Sequence, residues 1–137
     1  MGQWTTEGLQ WALEVLFSEE QSVPANFYVG LASDVSVTKD MALLDLTEVS
    51  GTGYGRQALA SDNVDFTSAL DGVDNRKQTS KIMTFTAGGT WTTARVWFLA
   101  TTVNNAGKLL CWDSVGDAFT LCNGENHTQS IVVKGSG

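Results

Sequence analysis

Hydrophobic residues near the start of the chain recur with the period of an α-helix. The positions i, i+3, i+4 and i+7 are occupied by Leu9, Ala12, Leu13 and Leu16, which therefore fall on one helical face. The pattern predicts a helix over residues 5–19 whose apolar face covers an end or edge of a sheet. The alternative is an arm that packs on a neighbouring subunit, with Trp4 ahead of the helix as a contact residue.

After Pro24 the hydrophobic period changes to two, which indicates strands. The strand candidates are 26–33, 64–70, 80–87, 94–102, 107–115, 117–124 and 130–135, separated by Gly- and Asn-rich turns. Short strands at regular spacing with one helix are typical of an all-β fold. We expect a jelly-roll-like β-sandwich of about seven to eight strands, with a helical arm at 1–25 and the sandwich at 26–137. Residues 34–45 receive no assignment.

The strand candidate 94–102 is apolar on both faces. Ala94, Val96, Phe98 and Ala100 alternate with Trp97 and Leu99. Such a strand is either central in its sheet and covered on both sides, or in contact with a partner.

The net charge and the scattered positions of the basic residues narrow the classes of expected partner. The net charge is −7, and eight basic residues are scattered among fifteen acidic ones. Binding to a nucleic-acid backbone needs clustered Lys and Arg, so we expect no nucleic-acid partner. There is neither an uninterrupted apolar run of membrane-spanning length nor a secretory signal, so we expect no membrane partner and assembly in a cytoplasm.

Candidate catalytic and metal-binding residues are few. The single histidine, His127, stands in a polar turn, so it is the one histidine available as a general base for a serine or cysteine nucleophile. Acidic residues cluster at 61–66 and 71–75, but neither segment completes a calcium-loop pattern, and Asp and Asn are ordinary turn residues. We therefore expect no enzyme, no catalytic residues and no metal site.

A glycine-rich segment, "LTEVSGTGYGRQAL", spans Leu46 to Leu59. Its spacing does not match the dinucleotide pattern, and the Gly-Lys-Ser/Thr end of a P-loop is missing. We expect a strand–turn–strand element whose glycines permit positive φ, and no bound cofactor. Tyr54 and Arg56 are expected to lie over the turn.

Five tryptophans are many for 137 residues. Trp97 and Trp112 stand in strand candidates and are expected in the core. Trp91 follows a turn and is the best candidate for a surface anchor, either at a protein interface or under a sugar. The candidate interface residues are Trp4, Trp11, Tyr54, Arg56 and Trp91.

The two cysteines would face each other only if Gly116-Asp117 formed a two-residue hairpin turn. Cys111 and Cys122 would then each stand five residues from the turn. A turn at Asn123-Gly124 would separate them. Because a cytoplasm disfavours structural disulfides, we expect free thiols.

The order of these segments resembles a family of small bacteriophage virion proteins of the tail-fibre-like or capsid decoration kind. The resemblance covers roughly residues 26–134 and is most specific at Leu46–Gln57 and at 98–110, the "FLATT…GKLL" portion. It implies an all-β sandwich with a structural, non-catalytic role in the particle. The family pattern often has alanine at the position of Gly55. The glycine in this chain is expected to make the turn more flexible without changing its type.

From the resemblance and the charge we expect a capsid decoration (cement) protein on the capsid exterior. Its partners would be the major capsid protein and further copies of itself, for example in a trimer. The alternatives are a tail or fibre component and a carbohydrate-binding module that attaches the particle to a host glycan.

Overall fold

The computed structural model describes residues 3–71 and 75–135. Helix α1 runs over Thr6–Leu13 and continues as a π-helical turn at Glu14–Ser18. Thr5 caps its start, because the hydroxyl oxygen accepts a hydrogen bond from the Gly8 amide at 3.0 Å. The helical segment ends at Glu19, whose φ of 55° is left-handed. The helix predicted over 5–19 is confirmed.

Ten strands are found in the described residues. They are β1 (Gln3–Trp4), β2 (Asn26–Ala32), β3 (Gln57–Ala60), β4 (Phe66–Asp71), β5 (Asn75–Ser80), β6 (Met83–Thr86), β7 (Ala94–Ala100), β8 (Leu109–Phe119), β9 (Asn126–Gln129) and β10 (Val132–Gly135). They form three antiparallel sheets in the orders β1-β8-β7-β2-β3, β10-β5-β4 and β6-β9. The predicted all-β sandwich with one N-terminal helix is confirmed, with more strands than the seven to eight expected.

The main core lies between the five-stranded sheet and the two smaller sheets. It contains Val29 and Leu99 from the large sheet, Phe85 from β6 and Ile131 beside β10. Strands β2 and β6 present alternate residues to this core, as the period-two pattern predicts, whereas β8 contributes the adjacent Leu110 and Cys111.

A second apolar cluster covers the opposite face of the large sheet. Val96, Phe98 and Ala100 of β7 belong to it, whereas Trp97 and Leu99 belong to the main core. Val37 and Leu43, from the segment that the sequence left unassigned, cover the second cluster. The prediction that this strand is central and covered on both sides is therefore confirmed.

The orientation of α1 corrects the predicted apolar face. Gly8 and Trp11 are the buried positions, whereas Leu9, Leu13 and Leu16 point to solvent. A Cβ at Gly8 would collide with the backbone of Leu110, so the missing side chain is what lets the helix lie directly on β8.

The N-terminal segment packs on the large sheet at two places. Strand β1 pairs with β8 through Trp4 and Cys111, and α1 lies against the same strand. The division of the chain at residue 25 stays a prediction. No helix in the described ranges is long and apolar enough to cross a membrane.

Strand β8 corrects the strand boundary expected at Gly116-Asp117. The strand continues through Gly116, whose φ of 93° accompanies a shift of register between β7 and β8. The chain turns instead at Asn123-Gly124, where the Glu125 amide donates to the Cys122 carbonyl at 3.0 Å. Both cysteines are free, with Cys111 buried and Cys122 exposed.

Candidate functional site

The loop Gly51–Arg56 packs against the turn that leads to Trp91. The Gly88 amide donates to the Thr52 carbonyl at 2.8 Å, and the indole N–H of Trp91 donates to the same oxygen at 2.8 Å. Gly53 has a φ of 85°, and a Cβ there would lie 2.9 Å from the Gly88 nitrogen. The glycines therefore permit both the backbone conformation and the close approach of two turns.

Tyr54 lies beneath this loop, among core aromatic residues. Its ring meets Trp91 edge to face at 5.3 Å and stacks on Phe85 at 6.5 Å. Its hydroxyl accepts a hydrogen bond from the Leu31 amide at 3.0 Å and donates to Glu48. Burial, together with the neighbouring Glu48 carboxylate, raises the pKa of the Tyr54 phenol above its usual range, so the phenol keeps its proton.

Arg56 is held by acceptors of its own chain. Nε and one terminal nitrogen bind the two oxygens of Glu48 at 3.0 and 2.9 Å. The other terminal nitrogen donates to the carbonyls of Thr102 and Asn104 at 3.0 and 2.7 Å. The guanidinium also lies 5.0 Å from the centre of the Phe98 ring. Its side chain is only 4% exposed.

These contacts give the glycine-rich segment a structural role. Arg56 ties the Gly51–Arg56 loop to the connection between β7 and β8, and its donors face protein acceptors rather than solvent. The segment thus has the form of a clamp between two turns of the sandwich.

Trp91 is not at the surface, which corrects its expected position as a surface anchor. Its side chain is 3% exposed and lies in the main core. Trp97 is also buried, as expected, and Trp112 packs at the edge of the second cluster. The assignment of Trp4, Trp11, Tyr54, Arg56 and Trp91 to an interface between chains stays a prediction.

The candidate catalytic residues lie apart from one another. His127 shares a hydrogen bond with Gln129 at 3.0 Å and stacks on Phe119 at 4.0 Å between ring centres. Asp62 accepts hydrogen bonds from the amides of Val64 and Asp65, as a turn residue does. Of the other acidic segment, residues 72–74 lie outside the described residues. Over 3–71 and 75–135, no three His, Cys, Asp or Glu side chains come together as a metal site.

Asp65 is part of a small ionic link. Its carboxylate lies 2.9 Å from the Lys81 ammonium and accepts a hydrogen bond from the Ala60 amide at 2.8 Å. The hydrogen bond to Lys81, and then that from Ala60, hold the pKa of Asp65 below its usual range. The link joins the ends of β3 and β5, so the Asp65 carboxylate has a structural role.

An apolar cleft opens between the large sheet and the β10-β5-β4 sheet. Its volume is about 490 Å³. Trp4 and Trp11, two of the predicted interface residues, line it together with Phe27 and Phe66. Trp11, Phe27 and Phe66 follow one another edge to face, with ring centres 5.9 and 6.2 Å apart. Ser61, Asp62, Asn63, Ser68 and Gln78 supply the polar part of the lining.

The cleft could not be predicted from local sequence patterns. Phe27 and Phe66 come from strands that only the fold brings together, and β5, which supplies Gln78, was not predicted. A sequence signal at this cleft was the surplus of tryptophans in the chain: Trp4 and Trp11 line the cleft, and Trp11 also belongs to the main core.

A comparison with known protein families finds one match over most of the chain. The family described as "Podophage GP4 fiber I protein gp80" matches residues 10–132. No curated protein matches the chain. The matched range contains the second half of α1, the Gly51–Arg56 loop and most of the cleft wall.

Proposed function

The chain belongs to the podophage GP4 fiber protein family, and on this premise we propose that it is a structural subunit of the tail or fibre of a bacteriophage particle. That it is a phage structural protein follows from the family. The position in the tail or fibre is our proposal. It replaces capsid decoration as the preferred function, because the family's description names a fiber.

The observation that carries the proposal is the length of the match, which spans residues 10–132 and so includes the second half of α1 and all of strands β2 to β9. The contacts of the Gly51–Arg56 loop support it. Glu48 accepts hydrogen bonds from both Arg56 and Tyr54 inside the fold. These polar side chains are therefore engaged in contacts that stabilise the fold and do not point to a substrate site. We therefore also propose a non-catalytic role.

The proposed partners are further copies of the chain and neighbouring virion proteins. The exposed apolar side chains of the helical segment support a protein partner, because contiguous apolar surface on a soluble protein marks interaction sites. A host glycan is a weaker candidate, since Trp91, on which the sugar hypothesis depended, lies in the core.

Fractionation of disrupted virions tests the proposal. Heads and tails are separated on a gradient, and the protein is quantified in each fraction by mass spectrometry, with the major capsid protein as the marker for heads. We expect the protein to follow the tail fraction. Its recovery in proportion to the major capsid protein would overturn the tail or fibre assignment and restore capsid decoration.

A further inference from the structure

Strand β4 is the outer strand of the β10-β5-β4 sheet, and its outer edge is open. It pairs with β5 alone and, with six residues, is the longest strand at a sheet edge in the described ranges. Thr67, Ser68 and Leu70 are all exposed. Residues 66–70 contain no charged residue and no proline, which are the devices that usually keep an edge strand from pairing with another chain.

Other sheet edges of this protein are short or covered from within the chain. Strand β1 has two residues. At the edge of β3 the Ala60 amide donates to the Asp65 carboxylate at 2.8 Å. At the edge of β10 the Lys134 carbonyl accepts a hydrogen bond from the Trp4 indole at 2.8 Å. The long, uncharged edge of β4 therefore stands out as a place for another strand.

The register shows which backbone groups of β4 face this open edge. In an antiparallel strand the N–H and C=O of successive residues point alternately to the two sides. Ser80 stands opposite Phe66, and its amide donates to the carbonyl of Ile131 at 2.9 Å, on the side of β10. The backbone groups of this pair therefore point away from each other. Phe66, and with it Ser68 and Leu70, directs its backbone groups away from β5.

Two copies of β4 are complementary to each other about a two-fold axis at Ser68. Ser68 then faces Ser68 of the second copy, and Phe66 faces Leu70 of the second copy on both sides of the axis. All these residues direct their backbone groups to the open edge, as the hydrogen-bonded pairs of an antiparallel ladder require.

The side chains favour the same pairing. Leu70 is 59% exposed in one copy, and Phe66 lines the cleft, so each Phe66–Leu70 pair would cover apolar surface. Residues 66–70 are uncharged, so the pairing brings no like charges face to face although the protein carries a net charge of −7. The strand thus matches a second copy of itself in backbone polarity, in side chains and in charge.

We propose that β4 of one copy pairs antiparallel with β4 of a second copy, so that the two β10-β5-β4 sheets join into one continuous sheet with three strands from each copy. Both copies use the same surface, so the contact closes as a two-fold dimer. The inference rests on the proposed structural role and adds the contact by which copies pair.

Two substitutions block the pairing without touching the ladder between β4 and β5. Ser68→Pro removes an amide that faces the open edge, a position at which an edge strand tolerates proline. Leu70→Lys places a charge at an exposed position of the same edge. The matched controls are Ser68→Thr, which keeps the amide, and Ile82→Lys, at a residue that is 71% exposed outside β4. Circular dichroism and thermal melting check that each variant is folded.

Sedimentation over a concentration series measures the association. We expect the wild type, Ser68→Thr and Ile82→Lys to form dimers of twice the monomer mass. Ser68→Pro and Leu70→Lys should remain monomeric over the same concentrations.

A cysteine at the axis tests the register itself. Ser68→Cys, made together with Cys122→Ser to remove the exposed native thiol, should give a disulfide-linked dimer on mild oxidation, because the two new thiols face each other. Asn63→Cys in the same background is the control, since it is exposed but lies outside β4. It should stay unlinked under the same conditions.

Three results would overturn the proposal. One is a wild type that is monomeric at the highest soluble concentration. Another is a folded Ser68→Pro or Leu70→Lys variant that dimerises as the wild type does, which would place the contact elsewhere. The last is a Ser68→Cys variant that is linked no faster than the Asn63→Cys control. If the proline variant does not fold, Leu70→Lys and the cysteine pair still decide. All these measurements use purified protein, so failure here is distinct from failure of the proposed position in the virion.

Discussion

The Arg56 guanidinium binds both carboxylate oxygens of Glu48, at 2.9 and 3.0 Å, from a side chain that is almost fully buried. The two residues stand on either side of the glycine-rich loop, so the pair closes the loop at its base. Arg56 also binds carbonyls in the connection between β7 and β8, which ties the loop to that connection.

Removal of this arginine should be costly. We expect Arg56→Ala to lower the free energy of unfolding by about 3 kcal/mol, because it leaves Glu48 without its positively charged partner and the Thr102 carbonyl without the guanidinium donor. Arg95→Ala, at an exposed position, should cost less than about 0.5 kcal/mol. Urea unfolding measures both values, and equal effects of the two substitutions would contradict the clamp.

The glycines of the loop should differ in their tolerance of a side chain. Gly53→Ala should destabilise by about 1–2 kcal/mol, because φ is 85° and the added Cβ would press on Gly88. Gly55→Ala meets nothing within 4 Å and should be neutral or stabilise by about 0.4–1 kcal/mol. Melting temperatures of the two variants give the comparison, and the reverse order would mean that the loop has another conformation in solution.

Trp91 should behave as a core residue and not as a sugar platform. Trp91→Ala should destabilise the fold by about 3–5 kcal/mol, since a large buried side chain and its hydrogen bond to Thr52 are lost. Unfolding by denaturant measures the loss, and a glycan screen of the wild type serves as the control. A variant of unchanged stability that had lost glycan binding would show that Trp91 is exposed and active.

The two thiols should differ in reactivity. Burial raises the pKa of the Cys111 thiol to about 12, so little of it is thiolate at pH 8, whereas Cys122 is exposed. Alkylation of native protein should therefore add one group, at Cys122, and alkylation after unfolding should add two. A raised folded pKa also means that Cys111 favours folding at neutral pH and that this contribution is lost as the pH rises from about 9 towards 12. Mass spectrometry measures the number of alkyl groups added to the native and to the unfolded protein, and rapid modification of native Cys111 would refute the predicted difference in reactivity.

The sequence predicted the elements with strong apolar periodicity. Strand β2 and strand β7, with its two covered faces, are such cases, because burial on both sides leaves a nearly continuous apolar run. Strands β5 and β9 were missed because their residues, "NRKQTS" and "NHTQ", are almost entirely polar. They form through pairing with neighbours, which a local pattern does not contain.

The helix and β8 show two further limits. The period placed Leu9, Leu13 and Leu16 on one face correctly, but it could not tell that Gly8 and Trp11 on the opposite side meet the sheet. Gly116 looked like a turn residue, although a glycine with positive φ also suits a bulge within a strand. The cleft depends on the pairing of strands that are distant in the sequence. Of its lining residues, only Trp4 and Trp11 could be singled out from the sequence.

The position of the protein in the particle is the central claim, and a difference map tests it most directly. Particles produced with and without the protein are imaged by electron cryomicroscopy, and the two reconstructions are subtracted. We predict that density disappears at the tail or its fibres while the head shell is unchanged. Density missing from the outer surface of the head, with an intact tail, would contradict the account.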